Sequence, residues 1–322
     1  MTADVFCYGE ALTVVAPSPP APIETRPTCS LGPAGAEFNV AANLATLGVA
    51  VQWLGALGED PFGQIILDEA AFRGVGVDHV HVDDRLSTGV YFKSVEPSGS
   101  RVYYYRDGSA FSAANVRDLV GDAPSPRILH TTGITPALSP KARDSTNAVL
   151  DREVAGDALI SFDVNYRASL WQDIETAAAT LLECAQRADV VFVGRDEAEL
   201  VWGTRTAESI RALLPGPRHL VVKDGDVIAT EFIGQRRVDC HPPRVRVTEQ
   251  VGAGDAFAAG WIAGYLENRG PVERLRFGHL LAAQALQHPG DLVPLPPLDV
   301  IHDAVMRDPA SWSVTLTGTD PR

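Results

Sequence analysis

Lysine is nearly absent from this chain. Lys93, Lys141 and Lys223 are the only three among 27 basic residues, against 41 acidic ones, and the formal net charge is −14. A nucleic-acid or anionic-membrane partner needs a concentrated basic face, so neither is expected. Cysteine is sparse too: Cys7, Cys29, Cys184 and Cys240 never fall into CxxC spacing, which leaves no readable zinc site or redox pair. His130, His241, His279 and His288 show no HxxxH or HExxH spacing, so no protein-held zinc is expected from them. No apolar run is long enough to span a bilayer, and no secretory leader is readable, so the expected compartment is a reducing cytoplasm. What remains is 322 residues, 45% hydrophobic and 21% charged, the profile of a globular enzyme with a sizeable core.

From Arg127 onward, short apolar runs (RILHTT, ALISFDVN, DVVFVG, HLVVKDG) alternate with helical patterns over Pro140 to Val154, over Ile174 to Arg187 and in a helical pair. Continuous apolar strands separated by amphipathic segments predict a mostly parallel sheet covered by helices on both faces. Ligands of such sheets bind beyond the carboxyl ends of the strands. The first part of the chain differs. A strand in VFCYGEAL precedes a proline-rich excursion over Pro17 to Pro27, and GPAGAEFNVAANLATLG reads as a helix closed by Gly48. Residues 88–112 read as a β hairpin turning at Pro97-Ser98-Gly99, placed to cover a site.

The stretch VGAGDAFAAGWIAGYLENRG combines closely spaced glycines, one acid and helical apolar spacing through Phe257, Trp261, Ile262, Tyr265 and Leu266. Gly252, Ala253 and Gly254 lie where a helix begins, so their backbone N–H groups can meet an anion. Asp255 then has two readings, a first-turn acid favoured by the helix dipole or a general base for a hydroxyl that attacks a phosphoryl group. Spacing alone leaves both open. Other nucleotide motifs are missing: neither GxxxxGK[ST] nor a complete GxGxxG opening a strand-to-helix turn occurs.

Taken together, GPAGAEFNVAANLATLG, GALGEDPFGQ and EQVGAGDAFAAG resemble the two signature regions of the ribokinase/PfkB family of sugar kinases, over nearly the whole chain. The resemblance implies a three-layer α/β/α sandwich as a single domain, with a small β lid from about residues 11–33 and 88–112. It implies ATP-dependent phosphoryl transfer to a hydroxyl, with Asp255 as base and the Gly252 to Gly254 amides as anion hole. Magnesium is expected to arrive with ATP, held mainly by phosphate oxygens and water.

RVYYYRDGSAFS, HTTGITPALSP and ISFDVNYRASLW resemble the members of the family that act on keto sugar acids. A carboxylate calls for arginine's planar fork, and Arg106 and Arg167 are the candidates. Tyr91 and Tyr104 accompany them from the hairpin, Ile134 from HTTGI, and Gly35 and Asn39 from the first signature. Asp163 and Asn165 end a strand at the same edge, where a site role and a turn role are both open.

For the nucleotide, Glu197 matches the family's Asn-x-x-Glu, whereas Gly194 replaces the asparagine. Lys223 with Gly225 resembles its nucleotide-flanking K-x-G, and Glu249 stands where a leading aspartate is usual. The small-residue helix Gly278 to Gln287 is expected beside the adenine. Two alternatives stay open: a family member acting on a neutral sugar, such as a fructokinase or ribokinase, and a non-catalytic binding protein of the same fold. A homodimer through the lid is expected from exposed strand edges.

Overall fold

Strand β1 (Val5–Tyr8) sends Val5 and Cys7 into one apolar cluster and Phe6 and Tyr8 into another. Successive side chains of a strand point to opposite faces, so a strand that is apolar throughout belongs in a sheet buried on both. The computed structural model describes residues 3–96, 99–248, 250–288, 290, 292, 294–307 and 312. Pro97 and Ser98 of the expected hairpin turn, and Glu249, therefore lie outside the described residues.

After β1 come β2 (Leu12–Pro17), β3 (Cys29–Ala34), helix α1 (Ala36–Thr46), β4 (Val51–Gly58), α2 (Pro61–Arg73) and β5 (Val80–Asp83). The hairpin β6 (Val90–Glu96) and β7 (Gly99–Tyr105) precedes the short helices α3 (Ala110–Ala113) and α4 (Val116–Val120). The alternating part runs through β8 (Ile128–Thr132), α5 (Thr135–Leu138), α6 (Pro140–Leu150), β9 (Leu159–Asp163), α7 (Ile174–Arg187) and β10 (Val190–Gly194). It continues with α8 (Arg195–Trp202), α9 (Ala207–Leu213) and β11 (His219–Asp224). Last come β12 (Ile228–Ile233), β13 (Arg236–Cys240), α10 (Ala253–Leu266), α11 (Pro271–Gln287) and α12 (Leu298–Val305).

Among the described residues the large sheet has the order β13-β12-β11-β10-β9-β8-β1-β4-β5. It is parallel from β5 to β11 and antiparallel where β12 and β13 extend it. Helices α1, α2, α10, α11 and α12 share the first apolar cluster, and α3, α4, α6, α7, α8 and α9 the second. This is a ribokinase-like three-layer α/β/α arrangement. A small second sheet, β3-β2-β6-β7, stands apart from it and is built from residues 12–34 and 90–105. No helix among the described residues is long and apolar enough to cross a membrane.

Four local readings of the sequence change. VFCYGEAL is not one strand: β1 ends at Tyr8 and β2 starts at Leu12 in the other sheet. Gly9 lies between them, where a side chain would run into the carboxylate of Glu37. The excursion over Pro17 to Pro27 contains the end of β2 and a single 3₁₀ turn at Ile23–Thr25. The antiparallel β12 and β13, which carry no helix between them, were not separated from the loops around them. Helix α10 starts at Ala253 and is buried all round from Asp255 to Gly264, so its apolar residues are more than one face.

Candidate active site

Gly252 is the N-cap of α10 and sits in the left-handed region at φ 79°, a conformation that glycine adopts without a Cβ penalty. The first amides of α10 lie at the positive end of the helix dipole, which favours negative charge. Asp255 is the third residue of that helix and is 9% exposed. Asn39, on the second turn of α1, donates from Nδ2 to Asp255 Oδ2 at 2.9 Å, fixing the direction of the carboxylate. Asn39 Oδ1 is buried with no hydrogen-bond partner among the described residues. Helix α1 itself begins at Gly35, whose φ of 136° and close approach to the Glu10 carbonyl oxygen leave no room for a side chain.

Lys223, near the carboxyl end of β11, points toward the same helix start. A methyl placed on Gly254 would lie 3.5 Å from its Nζ. The ammonium donates to Asp163 Oδ2 at 2.8 Å, at the end of β9. Burial works to lower the pKa of Lys223, but the carboxylates of Asp163, Glu197 and Asp255 outweigh it and hold the group above its ordinary 10.5, fully charged. Glu197 is shifted upward, first by burial and then by the charge of Asp163. Its Oε2 accepts from the Gly194 amide at 2.8 Å and its Oε1 from the Tyr166 amide at 3.1 Å. A Cβ on Gly194 would come within 2.8 Å of Asp196 Oδ1 and 3.0 Å of Glu197 Oε2, so these two carboxylates occupy the space beside the glycine. Gly225, at φ 49°, makes the exposed turn from β11 to β12.

The second group surrounds Arg106. Its Nε donates to Glu10 Oε2 at 2.7 Å and its Nη2 to the same oxygen, while Ser109 Oγ donates to Glu10 Oε1 at 2.6 Å. The side chains of Arg106 and Glu10 are 8% and 2% exposed, so this is a buried, hydrogen-bonded ion pair. Arg106, expected as a candidate for a substrate carboxylate, is thus already paired through Nε and Nη2, and Nη1 has no hydrogen bond among the described residues. Tyr91 and Tyr104 pair across β6 and β7 with ring centroids 5.5 Å apart, and the Arg106 guanidinium lies 5.6 Å from the Tyr104 ring. Arg167 does not share these partners. Half exposed, it donates to the Tyr166 carbonyl at 3.1 Å and lies 3.9 Å from Glu197 Oε1. Ile134 follows β8, its amide donating to Thr132 Oγ1 at 3.1 Å.

Two buried acids were not read from the sequence. Glu10 stands two residues beyond the apolar β1, and an acid just past the carboxyl end of such a strand is a usable signal. Glu37 is buried in the first turn of α1, where Oε1 accepts from the Thr132 and Thr135 hydroxyls at 2.7 and 2.8 Å and from the Thr132 amide at 3.1 Å. Its pKa is raised by burial, and nothing local distinguishes it from any first-turn acid. Among the described residues no three His, Cys, Asp or Glu side chains converge to hold a metal ion.

The arrangement can do one kind of chemistry well: a fixed carboxylate, helix-start amides and a buried ammonium converge where a phosphoryl group could pass to a hydroxyl. Known proteins point the same way. The description pfkB family carbohydrate kinase matches residues 2–297. The 2-dehydro-3-deoxygluconokinase of Bacillus subtilis (strain 168) is 36% identical, over 92% of this chain and 93% of that protein. The 2-dehydro-3-deoxygluconokinase of Thermoproteus tenax is 32% identical, with 82% of each chain covered. Among solved structures, a PfkB protein from Polaromonas sp. JS666 superposes with a TM-score of 0.82 at 32% identity, covering 92% of this chain and 98% of that one. A fructokinase from Xylella fastidiosa, solved with bound ATP, gives 0.81 at 26% identity, with 93% and 97% covered. The convergence of Asp255, Asn39 and Lys223 thus occurs in a chain that belongs to the pfkB family of carbohydrate kinases, phosphotransferases whose acceptor is an alcohol group.

Proposed function

We propose that this enzyme transfers the γ-phosphoryl group of ATP to the terminal hydroxyl of 2-keto-3-deoxygluconate or a close sugar acid. The observation that carries the reading is Asp255, buried at the start of α10 with Asn39 orienting one oxygen. In this reading Asp255 accepts the proton of the attacking hydroxyl through its other oxygen, while the Gly252 to Gly254 amides and the Lys223 ammonium steady the phosphates. Gly194, Glu197 and Gly225 line the nucleotide side. Magnesium arriving with ATP would neutralise charge on the transferred group, and Glu197 is the residue that would hold its water.

On the acceptor side, Arg106 Nη1 and Arg167 serve the substrate carboxylate, with Tyr91, Tyr104, Ile134 and Gly35 shaping the pocket and Asn39 Oδ1 available to a substrate hydroxyl. The names of the two relatives support the choice of acid. The Glu10–Arg106 pair favours the competing reading, because an arginine already neutralised can serve a neutral sugar such as fructose. An ADP-release assay across keto sugar acids, fructose and ribose decides between them: turnover of a neutral sugar without turnover of the keto acid sinks the proposal. Asp255→Ala should lower kcat by about 10²–10⁴-fold with ATP binding nearly unchanged, and unchanged turnover would refute the base assignment.

The same reading has the enzyme working in the cytoplasm as a homodimer joined through the small sheet. That sheet exposes Leu31, Val102, Tyr103 and Tyr105, and β3 and β7 are its open edges.

A further inference from the structure

At the other end of the large sheet, beyond the amino ends of β8, β9 and β11, four arginines surround an open cavity of about 530 Å³. Arg127 precedes β8, Arg218 precedes β11, Arg269 lies between α10 and α11, and Arg274 is on the first turn of α11. The candidate active site lies at the carboxyl ends of these strands, so the cavity is a separate place. Its volume is that of a small-metabolite site.

Two buried side chains on its wall are incompletely partnered. The Arg274 side chain is 9% exposed; Nη2 donates to Glu231 Oε1 at 2.6 Å and Nη1 to the Arg269 carbonyl at 3.2 Å, but Nε has no hydrogen-bond partner among the described residues. His219, at 4%, faces the same Glu231 oxygen through Nδ1 at 2.9 Å, and its buried Nε2 is also unpartnered.

The charge at the cavity favours an anion. Glu231 offsets Arg274, Glu267 lies 2.8 Å from Arg269, and Asp4 lies 3.3 Å from Arg127, but no ion pair engages the exposed Arg218 among the described residues. Helix α11 begins at Pro271 on the cavity wall, adding the positive end of its dipole. The Leu266 carbonyl, from the opposing end of α10, is taken by Arg127 at 3.3 Å. A phosphate monoester suits these partners, carrying close to two negative charges at neutral pH on oxygens that accept from arginine's fork.

We propose that this cavity binds a phosphorylated small molecule, a sugar phosphate or a mononucleotide, through the exposed Arg127 and Arg218, with Arg269 and Arg274 on its wall. Titration calorimetry on the full chain, saturated with a non-hydrolysable ATP analogue, tests it with inorganic phosphate, ribose 5-phosphate and AMP as probes. R127A/R218A removes two exposed arginines outside the catalytic machinery, so folding and turnover should be unchanged. Saturable binding that weakens about ten-fold or more in this variant supports the site. Tighter AMP than ribose 5-phosphate then identifies a nucleotide, and the reverse a sugar phosphate. Equal affinity in wild type and variant, or no saturable binding by any probe up to about 10 mM, overturns it.

Discussion

Asp255 takes its meaning from Asn39, which holds one of its oxygens from another helix. Asn39→Ala should therefore lower kcat by about ten-fold while leaving the KM for ATP nearly unchanged, because the base is misaimed and the nucleotide side is intact. Steady-state kinetics with both substrates varied read this split, and an equal loss in ATP affinity would point to a collapsed helix start instead. Gly35→Ala is a harsher change. The φ of 136° and the Glu10 backbone beside it leave no accommodating shift, so a loss of about 2–4 kcal/mol in urea unfolding is expected. At this scale short motifs singled out Gly252 to Asp255, Glu197 and Lys223, and the fold brings these residues close together. It was not legible at Glu10 or Glu37. A buried acid is intelligible only with its partners, and Arg106 and Thr132 lie far along the chain from them.

Helix α10 carries the site, and its position depends on a close approach to α11. A Cβ on Gly260 would come within 2.6 Å of the Phe277 carbonyl oxygen, a backbone atom that cannot rotate away. Gly260→Val should thus force the two helices apart and cost about 2–4 kcal/mol in chemical denaturation, with kcat falling as the start of α10 shifts. The repeating strands from β8 to β11 were readable because each opens on or contains a short, buried apolar run and is flanked by helical periodicity. The passage from β1 to β2 was not, since eight residues of VFCYGEAL look continuous, while the space beside Gly9 is filled by Glu37 from a helix later in the chain. The all-round burial of α10 was likewise invisible, because small residues carry no amphipathic stripe for a periodicity to detect.

For the molecule as a whole, buried histidines set an acid limit. Burial lowers His130 and His279 from 6.5 to about 4, so each stays neutral in the folded chain while the unfolded chain takes up a proton below 6.5. The unfolded state then binds more protons between these values, so the stabilisation is present above pH 6.5 and lost as the pH falls toward 4. Unfolding free energy should drop by about 3–4 kcal/mol between pH 7 and pH 5 for the pair, and His279→Phe should remove about half of that drop. Glu37 acts with the opposite sign: burial lifts its carboxyl above 4.5, so its contribution is complete below that pH and declines as the pH rises. Light scattering gives the whole-molecule test of the proposed dimer, and a monodisperse monomer at working concentration would contradict it.

The chain passes between the two sheets at Glu10, at Gly35, near Gly89 and at Arg106. A side chain on Gly89 would meet Leu12, Glu10 and Arg106 together, so these crossings are crowded into one spot. The joint on which the small sheet would pivot is therefore made of the residues proposed to greet the acceptor. Under the proposed function, a substitution there that admits a new sugar also alters the joint between the two sheets, so acceptor selectivity and the seating of the small sheet change together.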